Sequence, residues 1–199
     1  MVPLSSSPKK MNVSRAASGL DAGGVVEGRR LPARLVCFWV GRQLFGINIS
    51  QVSEVIALRP ITRVPSVPSW VSGIMNLRGE VVSVLDLGGF LGIGATALSS
   101  WSRMVIVRAA GRTGGILADR IDEARMVDLA QLQPPPTIGS PENQELLAGL
   151  ITTTGMQSSE GSDDGGGDAA SVLILVLDME RLFESERIRQ FARDHGSEA

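Results

Sequence analysis

The apolar positions of this chain fall into short runs, and Gly or Pro separates many of them from the next. Leu35-Val36-Cys37-Phe38-Trp39-Val40 is apolar at every position, as in a strand covered on both sides. Gly41-Arg42 marks a turn. Phe45, Ile47 and Ile49 then alternate with Leu44, Gly46 and Asn48 and complete a hairpin. Asn48 with Gln51 three residues on resembles a capping box. Val52, Val55 and Ile56, spaced i, i+3, i+4, predict a short helix that Pro60 limits, with Glu54 on its solvent side.

Val71–Leu77 and Glu80–Leu87 read as two strands joined at Arg78-Gly79. Gly79 takes the positive φ of a tight hairpin without steric cost, so Arg78 stands at the tip of a rigid corner. Further strands are predicted at 61–64, 103–109, 114–119, 121–128, 146–153 and 173–177, which brings the count to ten. The chain ends in a helix with Asp178 as N-cap and Met179, Leu182 and Phe183 as its inner stripe. Beyond Glu186 the stripe is lost, because Ile188 falls on the opposite side and Phe191 between, so the distal half is expected to fray, with contact to a partner as the alternative. Many short strands and few helices make the chain mainly β, a barrel or sandwich architecture.

Composition narrows the function. The 199 residues suffice for one sizeable domain or two small ones sharing a core. The purest apolar run, Val172–Leu177, is far too short for a bilayer, and no apolar stretch follows Lys9 and Lys10 as a signal peptide requires. Cys37 is the one cysteine, so neither an internal disulfide nor a Cys-rich zinc site is available. These features point to the cytoplasm. The net charge of −2 is uneven: residues 1–34 hold six basic and two acidic groups, residues 35–154 nine of each, and residues 155–170 four acidic groups only. A neutral central part argues against nucleic-acid binding, and the scattered basic groups of the N-terminal part argue against a lipid-binding cluster. Residues 1–32 read as a flexible extension. The Asp/Gly-rich stretch at about 155–170 reads as a disordered acidic insertion, since its spacing does not fit an EF-hand loop.

No catalytic constellation emerges. Gly89–Thr96 lacks only the lysine of a phosphate-cradling loop, and Gly92–Ala97 carries a weak dinucleotide fingerprint with Asp119 downstream. A strand–helix–strand unit over 80–109, with a helix at 90–99, is therefore the enzyme alternative: a nucleotide-binding enzyme using the Gly89–Ala97 loop. That helix would lack an apolar stripe, and no second such unit follows. His195 lies within the last five residues, Cys37 sits in a strand as a small core hydrophobe, and Asp119, Asp122 and Glu123 fit a solvated turn. Neither a cofactor nor a metal is expected.

Asn76-Leu77-Arg78-Gly79 followed by Val82-Ser83-Val84-Leu85-Asp86-Leu87 resembles the signature of the CheW-like chemotaxis coupling proteins. The likeness extends through Val52-Ser53-Glu54-Val55-Ile56, Ile61-Thr62-Arg63-Val64-Pro65, Gly114–Asp119, Leu147-Ala148-Gly149-Leu150 and Val172–Asp178. It implies two five-stranded SH3-like barrels packed together over residues 33–194, with 195–199 a flexible end. It also implies a non-enzymatic adaptor that binds the regulatory domain of a chemotaxis histidine kinase and the cytoplasmic tip of methyl-accepting chemoreceptors. Glu54, Gly73, Asn76, Arg78, Gly79 and Glu80 fall where those contacts are expected, Arg78 foremost. An adaptor of a pilus, gliding or developmental pathway is the alternative within the same fold. The long N-terminal extension and the acidic insertion depart from the family pattern.

Overall fold

The computed structural model describes residues 32–154 and 171–195. The extension expected at 1–32, the insertion expected at about 155–170 and the end expected at 195–199 lie outside them, except that Pro32 opens the first strand and His195 closes the last helix. Ten strands are present among the described residues: β1 Pro32–Val40, β2 Gln43–Asn48, β3 Val52–Ala57, β4 Val71–Leu77, β5 Glu80–Leu85, β6 Arg103–Ala109, β7 Arg112–Ala118, β8 Arg120–Asp128, β9 Leu147–Thr154 and β10 Ser171–Leu177. Three short α-helices accompany them among the described residues: α1 Leu87–Leu91 after β5, then α2 Met179–Glu184 and α3 Glu186–His195 after β10. The strands form two five-stranded sheets, ordered β8-β1-β2-β10-β9 and β3-β6-β7-β5-β4.

The two sheets share one plan. In the second, hairpins β4–β5 and β6–β7 are joined by a parallel β5–β7 pairing, and β3 pairs with β6. In the first, hairpins β9–β10 and β1–β2 are joined by a parallel β10–β2 pairing, and β8 pairs with β1. Each is closed by a backbone bridge from the segment after its outer strand: Thr62 to Ile74 in one, Gln133 to Leu150 in the other. Strands β3 to β7 thus correspond to β8, β9, β10, β1 and β2, so barrel one is a circular permutation of barrel two. The short helices follow suit. Asp86 accepts the Gly89 N–H to cap α1, and Asp178 accepts the Arg181 N–H to cap α2.

Each barrel has its own interior, and both contribute to a third cluster. Leu35, Cys37, Leu44, Val127, Ile151, Ile174 and Val176 fill barrel one. Met75, Leu77, Val82, Val84, Met104, Ile106 and Leu117 fill barrel two. Phe38, Phe45, Phe90, Val105, Ile116, Leu182 and their neighbours form the shared core. The all-apolar run of β1 follows from this: Leu35 and Cys37 serve the first cluster, Phe38 and Val40 the third, and the register shifts between Val36 and Phe38.

Three expectations are corrected. The predicted helix after the first hairpin is a single 3₁₀ turn, Ile49–Gln51, running directly into strand β3. Asn48 caps only the Ser50 amide, and β-branched Val52, Val55 and Ile56 pair into the ladder with β6. Alternation then exposes Val55 at 40%, while Val52, Glu54 and Ile56 are half-buried. The strand expected at 61–64 is one bridge, because Pro60 and Pro65 lack ladder donors on either side, so β3 is the tenth strand in its place. The C-terminal helix does not fray in the way foreseen. It breaks at Ser185 (φ −56°, ψ 143°) and restarts as α3, which re-phases Ile188 and Phe191 onto the shared core. Phe191 meets Trp70 edge-on at 5.8 Å, and the Arg187 guanidinium lies 4.0 Å over Phe90 while donating to the Phe90 carbonyl.

Candidate protein-binding site at the hairpin corner

The β4–β5 turn has two residues, with Leu77 paired to Glu80. Arg78 (φ 56°) and Gly79 (φ 92°) both have positive φ, the geometry of a type I′ turn that matches the twist of the strands. Gly79 enters this region freely. Arg78 does so against the clash of its own Cβ with the backbone, a cost of about 1 kcal/mol or more. The Asn76 side chain accepts the Gly79 N–H at 3.0 Å and holds the corner closed. Arg78 Nη2 reaches Glu54 Oε2 at 2.9 Å.

That pair joins β3 to the hairpin. Its arginine side chain is 77% exposed and its glutamate 24%. An ion pair this open adds a few tenths of a kcal/mol to stability once solvent screening is counted. Its effect is orientation: it fixes a guanidinium that still points donors and a flat face outward. Beside it lies a groove of ≈ 330 Å³ lined by Ser53, Leu77, Glu80, Ile106, Arg108 and Thr113 together with the pair. Val81, one residue past Glu80, is 67% exposed.

The structure brings Glu54, Asn76, Arg78, Gly79 and Glu80 to one corner, although Glu54 is half-buried and paired rather than free in solvent. Gly73 is placed otherwise. It is buried at φ 140°, and a Cβ there would collide with the Thr62 carbonyl and the Ile61 side chain. Its role is to let the 61–62 segment bond to β4 through Thr62 N–Ile74 O (2.8 Å) and Ile74 N–Thr62 O (2.9 Å). Arg108, exposed on β6, belongs to the groove and was not foreseen; its neighbourhood follows from the β3–β6 pairing, which the helix expectation hid.

The groups suggestive of enzyme chemistry have other partners. Asp86 takes the amides of Gly89 and Thr96 and the Thr96 hydroxyl, the donors that a phosphate would need. The helix stops at Gly92 instead of running over 90–99, and β7 lies between β5 and β6 in the sheet. The strand–helix–strand unit of a dinucleotide fold is therefore not formed. Burial pushes the Cys37 thiol up to about 11, opposed by the nearby Arg125, which leaves it without thiolate character at neutral pH. Asp119 accepts the Gly41 amide, and Asp122 and Glu123 hold Arg125 at 3.0 and 3.1 Å. Among the described residues no helix is long and apolar enough to cross a membrane.

Known proteins resemble this chain over most of its length. The chemotaxis protein CheW of Rhizobium meliloti is 29% identical over 143 residues, covering 72% of this chain and 87% of its own. Protein FrzA of Myxococcus xanthus is 29% identical over 157 residues, covering 79% and 89%. The crystal structure of the scaffolding protein TtCheW from Thermoanaerobacter tengcongensis superposes with a TM-score of 0.63 at 28% identity, covering 83% of this chain and 96% of that one. This likeness accords with two packed SH3-like barrels. Residues 34–187 match the CheW-like domain family, and the chain belongs to that family of scaffold and adaptor proteins.

Proposed function

We propose that this protein is a non-catalytic cytoplasmic adaptor that couples methyl-accepting chemoreceptors to a chemotaxis-type histidine kinase at membrane-bound receptor arrays. One partner is the regulatory domain of the kinase and the other the cytoplasmic tip of the receptors. Glu54, Asn76, Arg78, Gly79 and Glu80 form a contact face, with Gly73 supporting it from beneath. The observation that carries this reading is Arg78, held in a costly backbone conformation yet 77% exposed. A residue kept at some cost to the fold, and contributing little to it, is accounted for by contact with another molecule. Arginine suits that task through its five donors and stackable plane.

The test is titration calorimetry of the full chain against the kinase regulatory domain and a receptor cytoplasmic fragment from the same organism. Arg78→Ala is expected to weaken at least one interaction by ~2 kcal/mol, about thirtyfold. Binding unchanged by that substitution would refute the assignment of the face. Absence of binding to either partner would refute the adaptor reading. The likeness to FrzA, beside that to chemotaxis proteins, keeps a non-flagellar chemosensory pathway as the second reading, and receptors from such a pathway form the discriminating arm.

A further inference from the structure

Barrel two carries another groove, at the opposite end of β4 from Arg78. Val71 at this end and Leu77 at the other are separated by six steps of strand, or ~20 Å at the usual rise. The groove measures ≈ 580 Å³, and its walls include Leu58, Arg59, Ile61, Arg63, Val67 and Leu98. Its frame is stiff: Pro60, Pro65 and Pro68 limit the backbone, and Thr62 is bonded to β4.

Two features define what would fit. Arg59 and Arg63 are exposed, and neither guanidinium has a hydrogen bond, ion pair or ring contact among the described residues. No acidic side chain lines the groove among those residues, so its positive charge is uncompensated. The same groove is lined by apolar Leu58, Ile61 and Val67, together with Leu98, which is 58% exposed.

We propose that this groove docks an acidic, amphipathic segment of a partner protein. The segment's apolar side chains seat on Leu58, Ile61 and Leu98 while its carboxylates pair with Arg59 and Arg63, a geometry guanidinium groups favour. A recess that combines two exposed guanidinium groups with apolar side chains suits a polypeptide segment better than the flat face of a bilayer. The site does not depend on the Arg78 corner, and either can fail without the other.

The test uses the full chain and a fluorescently labelled synthetic helix that carries Leu at i, i+3, i+4, i+7 with Glu between, followed by anisotropy. A twin peptide with Lys for Glu and sedimentation with phosphatidylserine vesicles serve as comparisons. The acidic helix should bind, lose about tenfold or more in affinity in R59E/R63E and in high salt, and be indifferent to R78A. Should the double variant melt early, Leu98→Glu, at an exposed site, is expected to give the same loss in a folded protein. The proposal is overturned if the acidic helix does not bind, if the Lys twin binds as well, or if neither R59E/R63E nor Leu98→Glu weakens it. It is also overturned if the vesicles retain the chain through Arg59 and Arg63, which would make the groove a lipid site.

Discussion

Replacing Arg78 with Asn separates what this residue does for the fold from what it does for a partner. Arg78 occupies the first position of a type I′ turn at φ 56°, with Gly79 at the second. Asn-Gly is the pair this turn prefers, since Asn enters the left-handed region with far less strain than a long side chain. Relief of that strain contributes about 1 kcal/mol in favour of the variant. The lost pair with Glu54 subtracts a few tenths, because its arginine is 77% exposed. The net is a gain of about 0.5 kcal/mol, or a Tm higher by roughly 1–2 °C for a domain of this size. Affinity for the kinase or receptor fragment should meanwhile fall about thirtyfold. Urea melts and calorimetry on one preparation read both quantities. The opposite signs are the signature; a variant that is less stable yet binds normally would show that Arg78 serves the hairpin alone, and the argument from backbone cost would be wrong.

Gly73→Ala should cost ~2–4 kcal/mol in urea melts, because the added carbon disrupts the two hydrogen bonds between Thr62 and Ile74 at a backbone φ of 140°; a loss below 0.5 kcal/mol would remove Gly73's role as spacer. Cys37, with its pKa raised by burial from 9.0 to about 11, should ignore thiol reagents at pH 8 until the chain unfolds. The folded state holds this proton more tightly, so the associated stability is complete below pH 9 and declines as pH rises toward about 11; melts across that range, compared with Cys37→Ala, check the sign. Arg187→Ala removes the contact over Phe90 and the bond to its carbonyl, and should free α3 locally, with hydrogen exchange faster from 186 to 191 and the barrels unaffected.

The hairpins were legible because their signals are local: a two-residue turn flanked by apolar runs specifies both the strands and the corner residue. β10 was legible for the same reason, as Leu173–Leu177 has no competing pattern. The segment 52–56 was not. Val52, Val55 and Ile56 fit a helical stripe and also fit a strand whose register slips between Val52 and Glu54, and only the presence of β6 decides between them. The Arg78–Glu54 pair was hidden by that error, since a solvent-facing Glu54 on a helix predicts no partner. Gly73 looked like surface because the backbone that covers it, Ile61–Thr62, approaches from a loop. The break at Ser185 turns on one residue leaving the helical region, which periodicity averaged over the whole segment obscures.

The permuted relation between the barrels bears on how the chain is made. Barrel two is drawn from one uninterrupted stretch, Val52 to Ala118, so it can close as soon as that stretch clears the ribosome. Its twin begins earlier and ends later: the β1–β2 hairpin is translated before barrel two and stays without β10, its parallel neighbour, until Ser171–Leu177 has also been made. A polypeptide released early would thus carry the Arg78 corner on a finished module while an unpaired β2 edge lay open to aggregation.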